Sequence, residues 1–272
     1  MINKFFIILF FLSNLIFCQL EVVEIKLPKK IRETSGLEYY KGNFITINDS
    51  GGKPRIFSFL GDGSILNKHS IKGTINRDWE DLTADENYIY ISDTGNNYAT
   101  RKDLTIYKID KDLKLKDSIL IQYSEQKVFD YRKKNRYDAE ALASVDSILL
   151  LFSKDRKKFS TQVYSVPKTP GNYSIVPLTE FFVECLITAA DYNKNIKTLA
   201  LTGYLGGNQY LFRFLNFDYK NIQNSKFEKY LIPVTSAQIE AVKIYDLDTF
   251  WLTTENEGNG PPRLFKVCLN KR

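Results

Sequence analysis

Hydrophobic and polar positions alternate along many short runs of this chain, and the runs return in a fixed order. A period of two marks strands with one buried face. Three landmarks recur. The first is an acidic or hydroxyl residue, then a small or acidic one, then an apolar one: Ser35-Gly36-Leu37, Glu80-Asp81-Leu82, Glu140-Ala141-Leu142 and Glu240-Ala241-Val242, with a degenerate copy at Ala190-Asp191-Tyr192. The second is a β-branched and apolar run ending in a polar residue: Phe44 to Asp49, Tyr88 to Asp93, Ile148 to Lys154, Leu199 to Tyr204 and Phe250 to Glu255. A turn follows each run, as at Ser50-Gly51-Gly52, Thr94-Gly95-Asn96-Asn97 and Asn256-Glu257-Gly258. The third is an aliphatic–aromatic pair: Ile56-Phe57, Ile106-Tyr107, Val163-Tyr164, Leu211-Phe212 and Leu264-Phe265.

First landmarks are spaced 45, 60, 50 and 50 residues apart. Units of ~40–50 residues holding four strands suit the blades of a propeller. Most units show a fourth strand, such as Ile65 to Ile71 and Ser118 to Tyr123, but the last runs out after Phe265 to Leu269. Glu21 to Leu27 supplies an alternating strand that would complete it and remove an exposed edge. The pattern therefore predicts an all-β, five-bladed β-propeller of four-stranded blades, closed by the N-terminal strand, with six blades as the alternative. It predicts one propeller domain over residues 19–272.

Residues 1–18 read as a signal peptide: Lys4, an apolar run from Phe5 to Phe17, then Cys18-Gln19. The run is short of the ~20 apolar residues a membrane span needs. Cleavage before Gln19 is favoured over a lipid anchor at Cys18, because Phe17 is bulky where lipoprotein signals carry a small residue. The chain is thus expected to be exported, to the periplasm or the extracellular space. Cys185 and Cys268 fall in strands of different units and read as core residues before a disulfide.

The net charge of +6 is spread along the chain, without a dense basic arm, which argues against nucleic acid and weakly for anionic small molecules. Nothing in the pattern specifies an oligomeric state or a protein-docking motif, although a non-catalytic docking scaffold fits the fold class. His69 is the sole histidine and sits in a presumed outer strand, so triad and zinc-protease chemistry are excluded.

The first landmark begins the innermost strand of each unit, so Ser35, Glu80, Glu140, Ala190 and Glu240 should meet at the axis, with Glu33, Asp78, Asp138, Thr188 and Gln238 just before them. Two carboxylates ~5 Å apart at an effective dielectric of ~20 repel by roughly 3 kcal/mol. Such a ring must spread, take up protons or bind a cation. Oxygen ligands without His or Cys favour calcium over zinc or copper. The candidate metal set is Ser35, Glu80, Glu140 and Glu240, against a water-filled tunnel as the alternative. Asp49, Asp93 and Glu255 end second strands on the same face and are the catalytic candidates should metal-activated water be used. Arg136, Lys154, Asn96 and Tyr204 are the ligand-binding candidates, with Arg136 and Lys154 aimed at the axis. The rest of the two basic stretches, Arg132 to Arg136 and Lys154 to Lys158, reads as solvated loop.

Glu33-Thr-Ser-Gly-Leu37, Asp78-Trp-Glu-Asp-Leu82, Asp93-Thr-Gly-Asn-Asn97 and Asp138-Ala-Glu-Ala-Leu142 resemble words of a group of exported bacterial propellers without an assigned activity. More distantly, the hub residues resemble those of five-bladed calcium-activated nucleotidases, the apyrase family, which place Ser and Glu at the starts of inner strands around one calcium. That resemblance implies a central calcium and, as an alternative function, metal-dependent hydrolysis of a phosphoester or nucleotide. Ala190 departs from it, and Asn48-Asp49-Ser50-Gly51 does not reproduce the family's acidic-Arg-Thr-Gly turn.

Overall fold

The computed structural model describes residues 19–234, 238–255 and 260–270. The proposed leader with Cys18, and the turn from Asn256 to Gly258, lie outside the described residues. The described residues begin with β1 (Gln19–Lys26). Blade 1 then runs β2 (Thr34–Tyr40), β3 (Asn43–Asn48), β4 (Arg55–Phe59) and β5 (Ile65–Ser70). Blade 2 is β6 (Trp79–Ala84), β7 (Tyr88–Asp93), β8 (Leu104–Asp110) and β9 (Leu115–Tyr123). Blade 3 contains β10 (Ala139–Val145), β11 (Ile148–Ser153) and β12 (Thr161–Pro167). Two short strands follow, β13 (Gly171–Ile175) and β14 (Pro177–Phe181). Blade 4 is β15 (Leu186–Asn193), β16 (Thr198–Leu205), β17 (Asn208–Phe214) and β18 (Glu228–Ile232). Blade 5 is β19 (Ile239–Ile244), β20 (Thr249–Thr254) and β21 (Arg263–Asn270).

The five sheets are antiparallel except for one pairing, and β1 completes blade 5 by pairing along β21. The ring is closed by the two ends of the chain, as the missing fourth strand implied. Blade 3 departs from the simple repeat. β14 is its outer strand, whereas β13 crosses to blade 2 and pairs in parallel with β9. That parallel pairing makes blade 2 five-stranded and covers its outer edge.

The inner strands pack around the axis in sequence, β2 beside β6, β6 beside β10, β10 beside β15, β15 beside β19 and β19 beside β2. Apolar faces of neighbouring blades meet in five separate clusters rather than one central core. Phe152, Phe212 and Phe214 fill the gap between blades 3 and 4. Tyr90 and Tyr164 lie between blades 2 and 3, and Phe250 and Phe265 between blades 4 and 5. Trp79 packs between blades 1 and 2, and Ile31 and Phe59 between blades 5 and 1. Because the apolar faces look sideways, the axis is left to polar side chains. Cys185 is buried between blades 3 and 4, Cys268 lies in β21, and both thiols are free. His69 is in outer strand β5, opposite Ile56.

Candidate functional site

Each inner strand carries a register irregularity near its start. In blades 2, 3 and 5 the extra residue is Glu80, Glu140 and Glu240. A bulge leaves one residue outside the ladder and re-aims its side chain, here toward the axis. In blade 4 the extra residue is Thr188 rather than Ala190. The hub position there is thus an oxygen-bearing one, and the registration that placed Ala190 in it is corrected by two residues. Thr188 Oγ1 donates to the carbonyl of Ile239 at 2.6 Å.

Next to Glu80, Asp81 is buried among the inner strands. Its carboxylate accepts from the backbone N–H groups of Leu82 at 2.8 Å, Leu142 at 2.9 Å and Ala190 at 3.2 Å, joining three blades. Gly36, at φ +68°, passes so close that a Cβ would strike the backbone nitrogen of Leu82 and the Asp81 carboxylate. Burial holds the Asp81 carboxyl well above its ordinary range, against the pull of these three N–H donors.

The hub carboxylates gather in two overlapping groups. Oxygens of Asp49, Asp78 and Glu80 lie within 4.8 Å of one another, as do those of Glu80, Asp138 and Glu140. Glu80 joins the two groups. The candidate metal set is therefore split. Ser35 Oγ donates to the Glu80 carbonyl and, at 3.5 Å, to the Glu240 carbonyl, which fastens blades 1, 2 and 5 together. Glu240 accepts from Gln238 and faces Lys154. The close carboxylate neighbours of Glu80 and Glu140 are instead Asp49, Asp78 and Asp138.

Lys154 reaches the hub as anticipated. Its Nζ donates to Glu140 at 2.7 Å and lies 5.3 Å from the centre of the Tyr204 ring. Burial opposes the ammonium charge, but Glu140 and Glu240 outweigh it and raise its pKa. Arg136 does not reach the axis. Its guanidinium pairs with Glu125 at the rim, over the ring of Tyr137. The arginine at the hub is Arg156, bonded to Asp138 at 2.7 Å and to Glu140 at 3.3 Å. Its position two residues after Lys154, just beyond the end of β11, was the available signal.

Among the described residues, six hub carboxylates, Asp49, Asp78, Glu80, Asp138, Glu140 and Glu240, face Lys154 and Arg156, with Arg101 acting on Asp78 from the side. The imbalance shows in their protonation. Burial, then the neighbouring carboxylates Asp49 and Asp138, push Asp78 up to about 7. Burial raises Asp49 to about 6 against the Ser50 N–H. Burial raises Glu140 to about 8 although Lys154 pulls it down. Glu80 and Glu240 are held well above the carboxylate range, chiefly by burial and by other carboxylates.

Among the other rim candidates, Asp93 is withdrawn from the site. It is buried, paired with Arg101 at 2.9 Å, and accepts from the Asp78 N–H at 3.0 Å. Asn96 is buried with its carboxamide engaged by the Tyr137 carbonyl and the Arg101 N–H. Both brace the loop that carries Gly95, where they were expected to meet catalysis or ligand. Glu255 stands near Glu240 and its N–H donates to the Gln238 carbonyl at 3.2 Å. Beside Asp78 a cavity of about 590 Å3 opens on the same face, walled by Ser50, Arg77, Asn97, Tyr98 and Arg101.

These features define a β-propeller whose hub carries an excess of buried and half-buried carboxylates. In fold, the chain is similar to a protein from Thermus thermophilus assigned as an oxidoreductase (glucose dehydrogenase). That match has a TM-score of 0.50 at 11% identity, over 91% of this chain and 100% of the other. It is also similar to the PQQ-bound aldose sugar dehydrogenase of Streptomyces coelicolor, with a TM-score of 0.51 at 10% identity, over 92% and 98% of the chains. A protein from Bacteroides fragilis described as exported aligns with a TM-score of 0.41 at 11% identity, over 93% and 96%. No family model matches the chain, and no curated protein matches it in sequence.

Proposed function

We propose that the protein is an exported calcium-binding propeller, with a leader over residues 1–18 and one domain over 19–272, whose cation site adjoins a cavity for a small anionic ligand. The observation that carries the reading is the meeting of Asp49, Asp78 and Glu80 within 4.8 Å, the first two half-buried and Glu80 buried. Ionised together in a poorly solvated space they repel by several kcal/mol, which a divalent cation offsets. The donors are all hard oxygens, the set that calcium prefers. Gly95 supports the same reading. A Cβ there would overlap the carboxylates of Glu80 and Asp78, so the backbone is bare where these groups need room. Asp49, Asp78 and Glu80 would hold the cation, with Asp138 and Glu140 beside them. Bound there, it would neutralise the carboxylates and offer a Lewis-acidic position facing the cavity.

Arg77 and Arg101 line the cavity next to Asp78. Both guanidiniums are already paired, Arg77 with Asp103 at 3.0 Å and Arg101 with Asp93 at 2.9 Å, so a phosphate or carboxylate group there would be drawn chiefly by the cation site on the other side. The sugar dehydrogenase chemistry of the structural neighbours is not carried over. Identity of 10–11% conveys a strand arrangement and not the side chains of a site.

The test is thermal melting of chelator-treated protein with and without calcium, beside a panel of nucleotides, phytate and simple phosphoesters. Calcium should raise the melting temperature of the native chain and leave Glu80→Gln unchanged. Equal response in the two proteins would remove the site. Calcium-dependent turnover lost in Glu80→Gln would make the protein a hydrolase rather than a binder.

A further inference from the structure

A basic cavity lies away from the hub, on blade 3. The two basic stretches that read as solvated loop are folded against each other around a cavity of about 290 Å3, walled by Arg132, Lys134, Arg136, Lys157 and Lys158, with Asp155 as its only acidic residue. We propose that this cavity binds a compact, multiply charged phosphate-type oxyanion.

Two of the five cations are already balanced. Arg136 pairs with Glu125, and Lys158 pairs with Glu180 at 3.1 Å. Arg132, Lys134 and Lys157 have no carboxylate partner among the described residues. Asp155 does not serve them, because it is buried and its carboxylate accepts from the backbone N–H groups of Lys157 at 2.8 Å and Lys158 at 2.9 Å. The cavity therefore keeps a net positive wall.

The wall is also held in place. Asn135 is buried between the loops, and its Nδ2 donates to the carbonyls of Asn97 at 2.9 Å and Arg132 at 3.0 Å. Its own carbonyl accepts from the Arg156 N–H at 3.1 Å, which ties the second loop to the first. The Arg132 N–H donates to the Tyr98 carbonyl at 2.9 Å. Backbone fixed in this way lowers the ordering entropy that binding would otherwise require. The side chains are exposed, so one charge on a ligand would be screened by salt. Several charges on one small body engage several cations at once, and guanidinium with ammonium suits phosphate oxygens. Arg132, Lys134 and Lys157 make no contact with the hub carboxylates among the described residues, although the neighbouring Arg156 does.

Inorganic pyrophosphate is the probe, titrated by calorimetry into calcium-free protein at low salt. Saturable binding is expected, at least tenfold weaker in the triple variant Arg132→Gln, Lys134→Gln, Lys157→Gln and retained when both lysines become arginine. Lys68→Gln, at an exposed position on β5 of blade 1, should bind like the native chain, which separates this cavity from surface lysines at large. Exposed residues are being changed, and an unaltered melting temperature confirms that the triple variant is folded. Absence of binding, or equal affinity in the triple variant, would overturn the proposal. So would sedimentation with phosphatidylglycerol vesicles, lost in the triple variant, without binding of pyrophosphate, because that outcome assigns the patch to a lipid surface.

Discussion

Raising the pH should destabilise the calcium-free protein, and the hub explains why. Asp78 is pushed from an ordinary 3.8 up to about 7 by burial and by its carboxylate neighbours. A carboxyl that holds its proton more tightly when folded makes the folded state the better proton binder over the interval between the two values, so stability falls as pH rises through it. At about 1.4 kcal/mol for each pH unit, Asp78 alone corresponds to roughly 4 kcal/mol lost between about pH 4 and pH 7. Asp49, pushed up to about 6, acts in the same direction over a lower window. The two carboxylates repel each other, so their losses overlap rather than add. The perturbation is Asp78→Asn, which keeps the shape and removes the charge. Urea unfolding of the calcium-free chain should show stability falling by several kcal/mol from about pH 5 to about pH 8, with a shallower slope in Asp78→Asn. The variant should be the more stable protein at the alkaline end. Millimolar calcium should flatten the native profile and leave the variant almost unaffected. A native profile that is level or rises with pH without calcium would refute the reasoning.

Other perturbations probe other parts of the account. Lys154→Met strips Glu140 of its 2.7 Å partner in a buried setting and should push its carboxyl further up, so the cost in urea unfolding should grow as pH rises above about 8, where Glu140 of the native chain ionises. The cost should shrink toward pH 6, where Glu140, pushed up to about 8, is protonated. Gly95→Ala should destabilise by about 1–3 kcal/mol and abolish any calcium-induced rise in melting temperature, because the new methyl overlaps Glu80 and Asp78. Deleting Gln19–Lys26 exposes β21 along its full length and should turn one cooperative unfolding transition into aggregation, measured by light scattering on heating.

Much of the architecture is legible in the sequence because the signals are local. Period-two runs place the inner, second and third strands of all five blades, and a blade short of one strand points to its partner near the N-terminus. The crossing of β13 to blade 2 was not legible, since a five-residue strand carries no mark of which sheet it will join. The hub was legible in outline and misaligned in detail. Bulges at Glu80, Glu140, Thr188 and Glu240 shift register by one residue without changing the apolar pattern, so counting along the strands put Ala190 where Thr188 belongs. Arg136 and Arg156 could be told apart only by loop geometry, which sends the first to Glu125 and the second to Asp138. Asp93 and Asn96 have side chains that suit chemistry, yet Arg101 and neighbouring backbone engage both of them.

Calorimetric titration of calcium into chelator-treated protein addresses the central claim directly. One saturable site per chain, lost in both Glu80→Gln and Asp78→Asn, is the predicted result. No uptake at millimolar calcium, or uptake unchanged in those two variants, would contradict it.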